Sequence, residues 1–242
     1  MTRPDPSLDA PLAQRDSPEI ATLLRLYRAA LDAADPRVVV PGHLPQPPSG
    51  RTVVVGVGKA AAAMAQSVEA HWPGPLEGVV VVPRGAALPL HRVRVMEGSH
   101  PVPDEASVQG ARALLAAVAN LGADDLVIAL VSGGGSALCA LPAEGVTLED
   151  KQGITRALLA RGATIHEINT VRRHLSAIKG GRLAAAAHPA RVFTLVISDI
   201  PGDDLAQVAS GPTLASAATA AEALAILRRY SIDAGATIVD GL

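Results

Sequence analysis

The residues of this 242-residue chain that could do chemistry fall in three short stretches, each directly after an apolar run. The first is Gly56-Val57-Gly58-Lys59-Ala60-Ala61. Glycines let backbone N–H groups approach an anion, and a following helix favours negative charge at its start. Two readings stay open. Gly56, Gly58 and Ala61 form G-x-G-x-x-A, a dinucleotide fingerprint, and Arg84 after the next apolar run could take the 2′-phosphate of NADP. Alternatively, Lys59 is a cation placed at the helix mouth to hold a phosphate. The second stretch is Ser132-Gly133-Gly134-Gly135-Ser136. Three consecutive glycines cost backbone entropy on folding. An anion cradle needs them, because side chains would block the N–H groups. No Lys follows, so it is not a Walker A loop, and it is not the G-x-S-x-G of a hydrolase nucleophile. The third is Ser198-Asp199-Ile200-Pro201-Gly202-Asp203-Asp204. Asp199, Asp203 and Asp204 suit Mg²⁺, which takes one or two carboxylates plus substrate phosphates. One of them could instead deprotonate a hydroxyl, and Asp203 or Asp204 could cap a helix.

Between the second and third stretches lies the dense basic segment 168–182. Lys179-Gly180-Gly181 again sets a cation beside glycines at a helix start, which points Lys179 at a ligand. Of Arg172 and Arg173, at least one is expected on a solvated face. His100 sits between prolines in a stiff loop and serves either a ligand or a structural hydrogen bond. Cys139, in an apolar stretch, reads as core. The other histidines have no metal-ligand spacing.

The elements that position these stretches follow from texture. Ser17-Pro18-Glu19 reads as cap, first position and first-turn acid. Ile20, Leu23, Leu24, Tyr27 and Leu31 then recur at helical spacing, giving an amphipathic helix to about Asp35-Pro36. TVVVGV from Thr52, GVVVV at 78–82, RVRVM at 92–96, DLVIALV at 125–131 and ARVFTLVIS at 190–198 read as strands. Helices are expected at 59–71, 104–121 (with Asp104 as cap), two or three times in 134–188, and at 216–230. The strands are continuous apolar runs, the mark of strands buried on both faces. The fold expected is α/β: a three-layer, doubly wound, mostly parallel Rossmann-like sheet with helices on both faces. Residues 1–16 read as a loose segment, and 17–242 as one α/β lobe.

Composition bounds the function. Apolar residues are 49 % and the net charge is −2, so disorder is excluded and a basic nucleic-acid surface has no support. Aromatics are 2 %, too few for a base-stacking platform. A single cysteine gives no internal disulfide and suits a reducing compartment. No apolar run nears the roughly 18–20 residues of a membrane span, and the first residues hold acids and prolines where a signal peptide is apolar. A cytoplasmic protein with no membrane and no nucleic-acid partner is expected.

The motifs GVGKAAAAMA, GSHPVPDEAS, SGGGSAL, INTVRRHLSAIKGGRLA and ISDIPGDDLAQVASGPT, in this order over residues 17–240, resemble the glycerate 2-kinase family of the MOFRL type, often labelled hydroxypyruvate reductase. The resemblance implies ATP-dependent phosphorylation of D-glycerate at its 2-hydroxyl, giving 2-phosphoglycerate and ADP, with ATP and Mg²⁺. It matches Lys59 to the family's active-site lysine and Ser132 to Ser136 to its phosphate loop. It sets Asn169, Arg172, Lys179 and Asp199 near the cleft. On this reading Gly133, Gly134 and Gly135 hold phosphates and Lys59 neutralises developing charge. Asp199, with Asp203 or Asp204, holds Mg²⁺ or orients the hydroxyl, and Arg172 and Lys179 hold a carboxylate or phosphate. The family has a second, C-terminal lobe closing the cleft. The sequence stops at Gly241-Leu242, where that lobe would begin, so the expectation is an N-terminal lobe with little turnover alone. A homodimer stays among the expected arrangements. The alternatives are an NADP-dependent hydroxypyruvate reductase, and a non-catalytic nucleotide-binding lobe.

Overall fold

The structure is a computed structural model that describes residues 17–235 and 238–239. The segment 1–16, expected to be loose, lies outside them. Helix α1 (Pro18–Asp32) starts at the Ser17 cap, whose hydroxyl accepts from the Ile20 amide. It ends earlier than the periodicity predicts. Asp35 instead caps a separate turn, Pro36–Val39, through the Arg37 amide. No residue of α1 is buried.

Five strands then alternate with helices: β1 (Thr52–Val57), α2 (Ala61–His71), β2 (Glu77–Pro83), β3 (Val93–Gly98), α3 (Glu105–Val118) and β4 (Leu126–Ser132). Four helices follow where two or three are expected: α4 (Gly135–Leu138), α5 (Leu148–Ala160), α6 (Ile165–His174) and α7 (Arg182–Ala186). Then come β5 (Arg191–Ile197) and α8 (Ala220–Arg229). The sheet order is β3-β2-β1-β4-β5, and all four pairings are parallel. The expected "mostly parallel" sheet is thus wholly parallel.

Burial explains the strand texture. Every residue of β1 and of β4 is buried. Alternate side chains serve two cores. Val53, Val55, Val57, Val127, Ala129 and Val131 pack with Ala111, Leu114 and Val118 of α3 and Leu183 of α7. Val54, Leu126, Ile128 and Leu130 pack with Ala61, Met64, Ala65 and Val68 of α2. Each fully buried Leu or Ile contributes about 1.5–3 kcal/mol. Small residues let the layers close: a Cβ at Gly110 in α3 would meet Val81 Cγ1 at 2.8 Å.

A third, smaller core joins α5, α6 and α8 through Leu158, Ile168, Val171, Ala223 and Leu227. Glu167 locks α6 in place. It caps its own helix through the Thr164 amide and hydroxyl, and it accepts from Arg229 (2.6 Å) and from the Tyr230 hydroxyl (2.8 Å). Those bonds stabilise the carboxylate and pull its pKa down to about 2.

Strand order reverses between β1 and β4, so the C-terminal ends of these strands form a switch point, where ligands of open α/β sheets bind. The register Val57↔Val131 puts the Gly58 loop beside the Ser132 loop.

Candidate functional site

The first glycine loop is a packing joint rather than a cradle. Gly56 lies inside β1, and a Cβ there would meet Val80 Cγ1 at 2.8 Å. Gly58, at φ +129°, has room for no Cβ because the Ser132 backbone and hydroxyl fill that space. The amides of this loop are already used. Gly58 donates to Val81 O (3.1 Å), Lys59 to Gly133 O (2.9 Å), Ala60 to Ser132 Oγ (3.0 Å) and Ala61 to Gly58 O (3.2 Å). This corrects the phosphate-binding expectation for Gly56, Gly58 and Ser132. Ser132 is 2 % exposed and its hydroxyl holds the Ala60 amide. Arg84, the residue expected to take a 2′-phosphate, is ion-paired with Asp104. What the first loop offers outward is the exposed Lys59 side chain.

The second turn is different. Gly134 sits at φ +83° and opens the one-turn helix α4. Among the hydrogen bonds of the described residues, none uses the amides of Gly134, Gly135 or Ser136 as donors. Such donors at a helix start favour an anion. Three side chains converge on this turn. A Cβ at Gly133 would overlap the Asp199 carboxylate, so the two are in direct contact. A Cβ at Gly134 would lie 3.1 Å from His100 Nε2 and 3.2 Å from Lys59 Cε. Lys59 comes from the end of β1, Asp199 from the end of β5, and His100 from just beyond β3. His100 is pulled below the usual histidine range by burial and by the Lys59 charge, with Asp199 opposing. It is therefore mainly neutral at pH 7. The loop reading left His100 between ligand and structural roles, and the structure sets it in the cavity wall.

That cavity, about 410 Å³, runs from the glycine turn to helix α6. Asn169 and Arg172 form its far wall, joined by His166, Ile165 and Gln207. Asn169 is 6 % exposed, donates to Gln207 Oε1 and accepts from the Ser210 hydroxyl, both at 3.4 Å. Ser210 in turn meets Ser136 Oγ at 2.9 Å, which ties the α6 wall to the glycine turn. Burial is the cause that lowers the Arg172 guanidinium, and no acceptor among the described residues engages it. The guanidinium stays charged and faces the cavity without a counter-ion. His166 and Ile165 carry no sequence signal and arrive on an amphipathic helix. Gln207 lies in the stretch ISDIPGDDLAQVASGPT, outside the residues expected at the site.

Several expectations need correction. Lys179 does not reach the open cleft. It is 1 % exposed, and its ammonium donates to Ser136 O at 2.8 Å from beneath the turn. It braces the cradle from behind. Arg173 is not on a solvated face either. It is buried and holds Ala206 O and Gln207 Oε1, each at 3.3 Å. Asp203 and Asp204 are exposed in a turn beyond Asp199. Asp203 lies at φ +51°, and Asp204 caps the Ala206 amide at 3.1 Å. Among the described residues no three His, Cys, Asp or Glu side chains converge as a metal cluster. Asp199 is thus the one carboxylate of the three at the glycine turn. Cys139 is buried, as its apolar context predicts. No helix of the described residues is long and apolar enough to cross a membrane.

Known proteins resemble this chain in sequence and in fold. A chain from Agrobacterium vitis with the provisional name hydroxypyruvate reductase is 55 % identical over 224 residues, covering 90 % of this chain and 51 % of its own length. The D-glycerate 2-kinase of Thermotoga maritima is 42 % identical over 217 residues, covering 89 % and 52 %. The crystal structure of a Thermotoga maritima glycerate kinase superposes with a TM-score of 0.84 at 39 % identity, over 93 % of this chain and 55 % of that one. The chain spans about half the length of the curated relatives it matches. A family model, described as a domain of unknown function, DUF4147, matches residues 22–240. That match takes in every strand, the glycine turn and both walls of the cavity, and the chain belongs to the DUF4147 family.

Proposed function

We propose that this chain is the phosphate-handling half of a kinase that transfers the γ-phosphoryl group of ATP to the 2-hydroxyl of D-glycerate. The products would be 2-phosphoglycerate and ADP. The observation that carries the reading is the run of unused amides at Gly134, Gly135 and Ser136 with Lys59 and Asp199 against the same turn. Phosphoryl transfer needs positioning and charge neutralisation more than covalent help. The three amides would hold phosphate oxygens, and the Lys59 ammonium would meet charge growing on the transferred group. Asp199 would accept the proton of the attacking hydroxyl as its oxygen bonds phosphorus and the bond to ADP breaks. His100, mainly neutral at pH 7, adds a hydrogen bond without adding charge. Arg172 and Asn169, across the cavity, would hold the glycerate carboxylate.

The donor set also fits Mg²⁺, because one carboxylate plus nucleotide phosphates is a sufficient ligand set. Asp199 would then be the protein ligand in place of the proton acceptor, and the bound ion would offset phosphate charge. The substrate name rests on relatives called glycerate kinase. The reductase reading is favoured by the name of the Agrobacterium vitis relative. It must explain how a dinucleotide would bind a first loop whose amides are all used and an Arg84 paired with Asp104.

The test is a steady-state assay with D-glycerate and MgATP, using a longer chain that also carries the remaining length of the relatives. Lys59→Ala should lower kcat at least tenfold. A kcat within twofold of the parent would remove Lys59 from the chemistry.

A further inference from the structure

Behind the glycine turn lies a second cavity of about 200 Å³, which neither Lys59 nor Asp199 lines. Its polar side holds Lys151, Lys179 and Arg172, with Arg156 at the rim. Val102, Pro103, Ala140 and Leu159 supply apolar surface, beside the polar side chains of Ser136, Gln152 and Thr155. Both lysines are buried, at 6 % and 1 % exposure. Lys151 donates to Leu175 O (2.9 Å) and Leu141 O (3.3 Å), and Lys179 to Ser136 O (2.8 Å), with Cys139 Sγ at 3.6 Å. Carbonyl oxygens and a thiol are the acceptors; no carboxylate among the described residues balances the three cations. Buried charges are ordinarily paired, so a cavity with three unbalanced cations is built for an anion from outside.

We infer that this cavity is a binding site for a short aliphatic monocarboxylate, its carboxylate against Lys151, Lys179 and Arg172 and its chain along Val102, Pro103 and Leu159. The volume is below the roughly 300–1,000 Å³ of drug-sized sites, which limits the ligand to a small acid. Val102, Pro103 and Leu159 favour a ligand with an aliphatic chain over acetate or free phosphate, which would leave them without an apolar partner. Arg172 lines both cavities, so occupancy here draws a cation from the cleft.

Burial and the facing cations Lys179, Arg172 and Arg182 hold Lys151 well below the ordinary lysine range, with the Cys139 thiol opposing. An anion beside it reverses that push.

The experiment is calorimetric titration of this chain with sodium pentanoate. Sodium acetate and inorganic phosphate serve as comparison ligands. Pentanoate should bind at one site per chain, at least tenfold tighter than acetate or phosphate. Lys151→Met should weaken it at least tenfold. Because Lys151 is buried and its replacement could disturb folding, the exposed rim variant Arg156→Glu is the second probe. It should weaken pentanoate at least threefold with an unchanged melting temperature. Absence of saturable binding, acetate or phosphate binding as tightly as pentanoate, or indifference to Arg156→Glu would each overturn the assignment.

Discussion

Gly133→Ala is expected to lower kcat for phosphoryl transfer at least a hundredfold in the longer chain while the fold survives. The added methyl would occupy the place of the Asp199 carboxylate. Gly133 is not among the residues at positive φ, so its backbone tolerates alanine. Asp199 is exposed at the end of β5 and can swing away, which spares the core. Loss of a positioned acid–base group costs about 10²–10⁴-fold. If displacement of Asp199 is the cause, Asp199→Ala alone should cost as much, and the double variant should cost no more, because the two effects share one group. A kcat within threefold of the parent for Gly133→Ala would separate Asp199 from the reaction.

Gly78→Ala should act on stability rather than chemistry. Gly78 pairs with Val54 in the middle of the sheet, at φ +155°. A Cβ there would overlap the Val54 carbonyl oxygen, a backbone atom fixed by the β1 ladder. The strands must separate or lose register, and β1 carries the Lys59 loop. A destabilisation of about 3 kcal/mol or more is expected, in the range reserved for overpacking and backbone strain. For a chain of this size that is a fall of about 6–12 °C in Tm. A thermal melt within 2 °C of the parent would contradict the strand packing described above.

The sheet was legible because burial on both faces writes itself as an uninterrupted apolar run. Thr52–Val57 is a strand to the residue. Helix starts were legible at Ser17 and Asp104, which cap their helices as expected; Thr147, Thr164 and Thr219 cap helices whose starts were not expected there, and the last helix begins at Ala220 rather than at 216. The loops were less legible, because glycine has two uses with one letter. Gly56 and Gly58 are glycine because a neighbouring strand fills their Cβ space, whereas Gly134 turns the backbone and leaves amides free. Lysine is likewise ambiguous: Lys59 and Lys179 both stand beside glycines, yet one is exposed and the other is held by Ser136 O under the turn. The acids of 199–204 divide for a third reason. Gly202, at φ +82°, turns the chain, so Asp203 and Asp204 leave the site that Asp199 enters. The far wall was half legible. Asn169, Arg172 and Gln207 stood in motifs, but Ile165 and His166 join them through tertiary packing.

Binding of ATP phosphates at the glycine turn is tested by the thermal shift of the chain with MgATP and, separately, with NADPH, both at the same concentration. A ligand bound by the folded state alone stabilises it by about 2.7 kcal/mol at one hundred times its Kd. A rise in Tm is expected with MgATP and none with NADPH. A rise with NADPH and none with MgATP would contradict it.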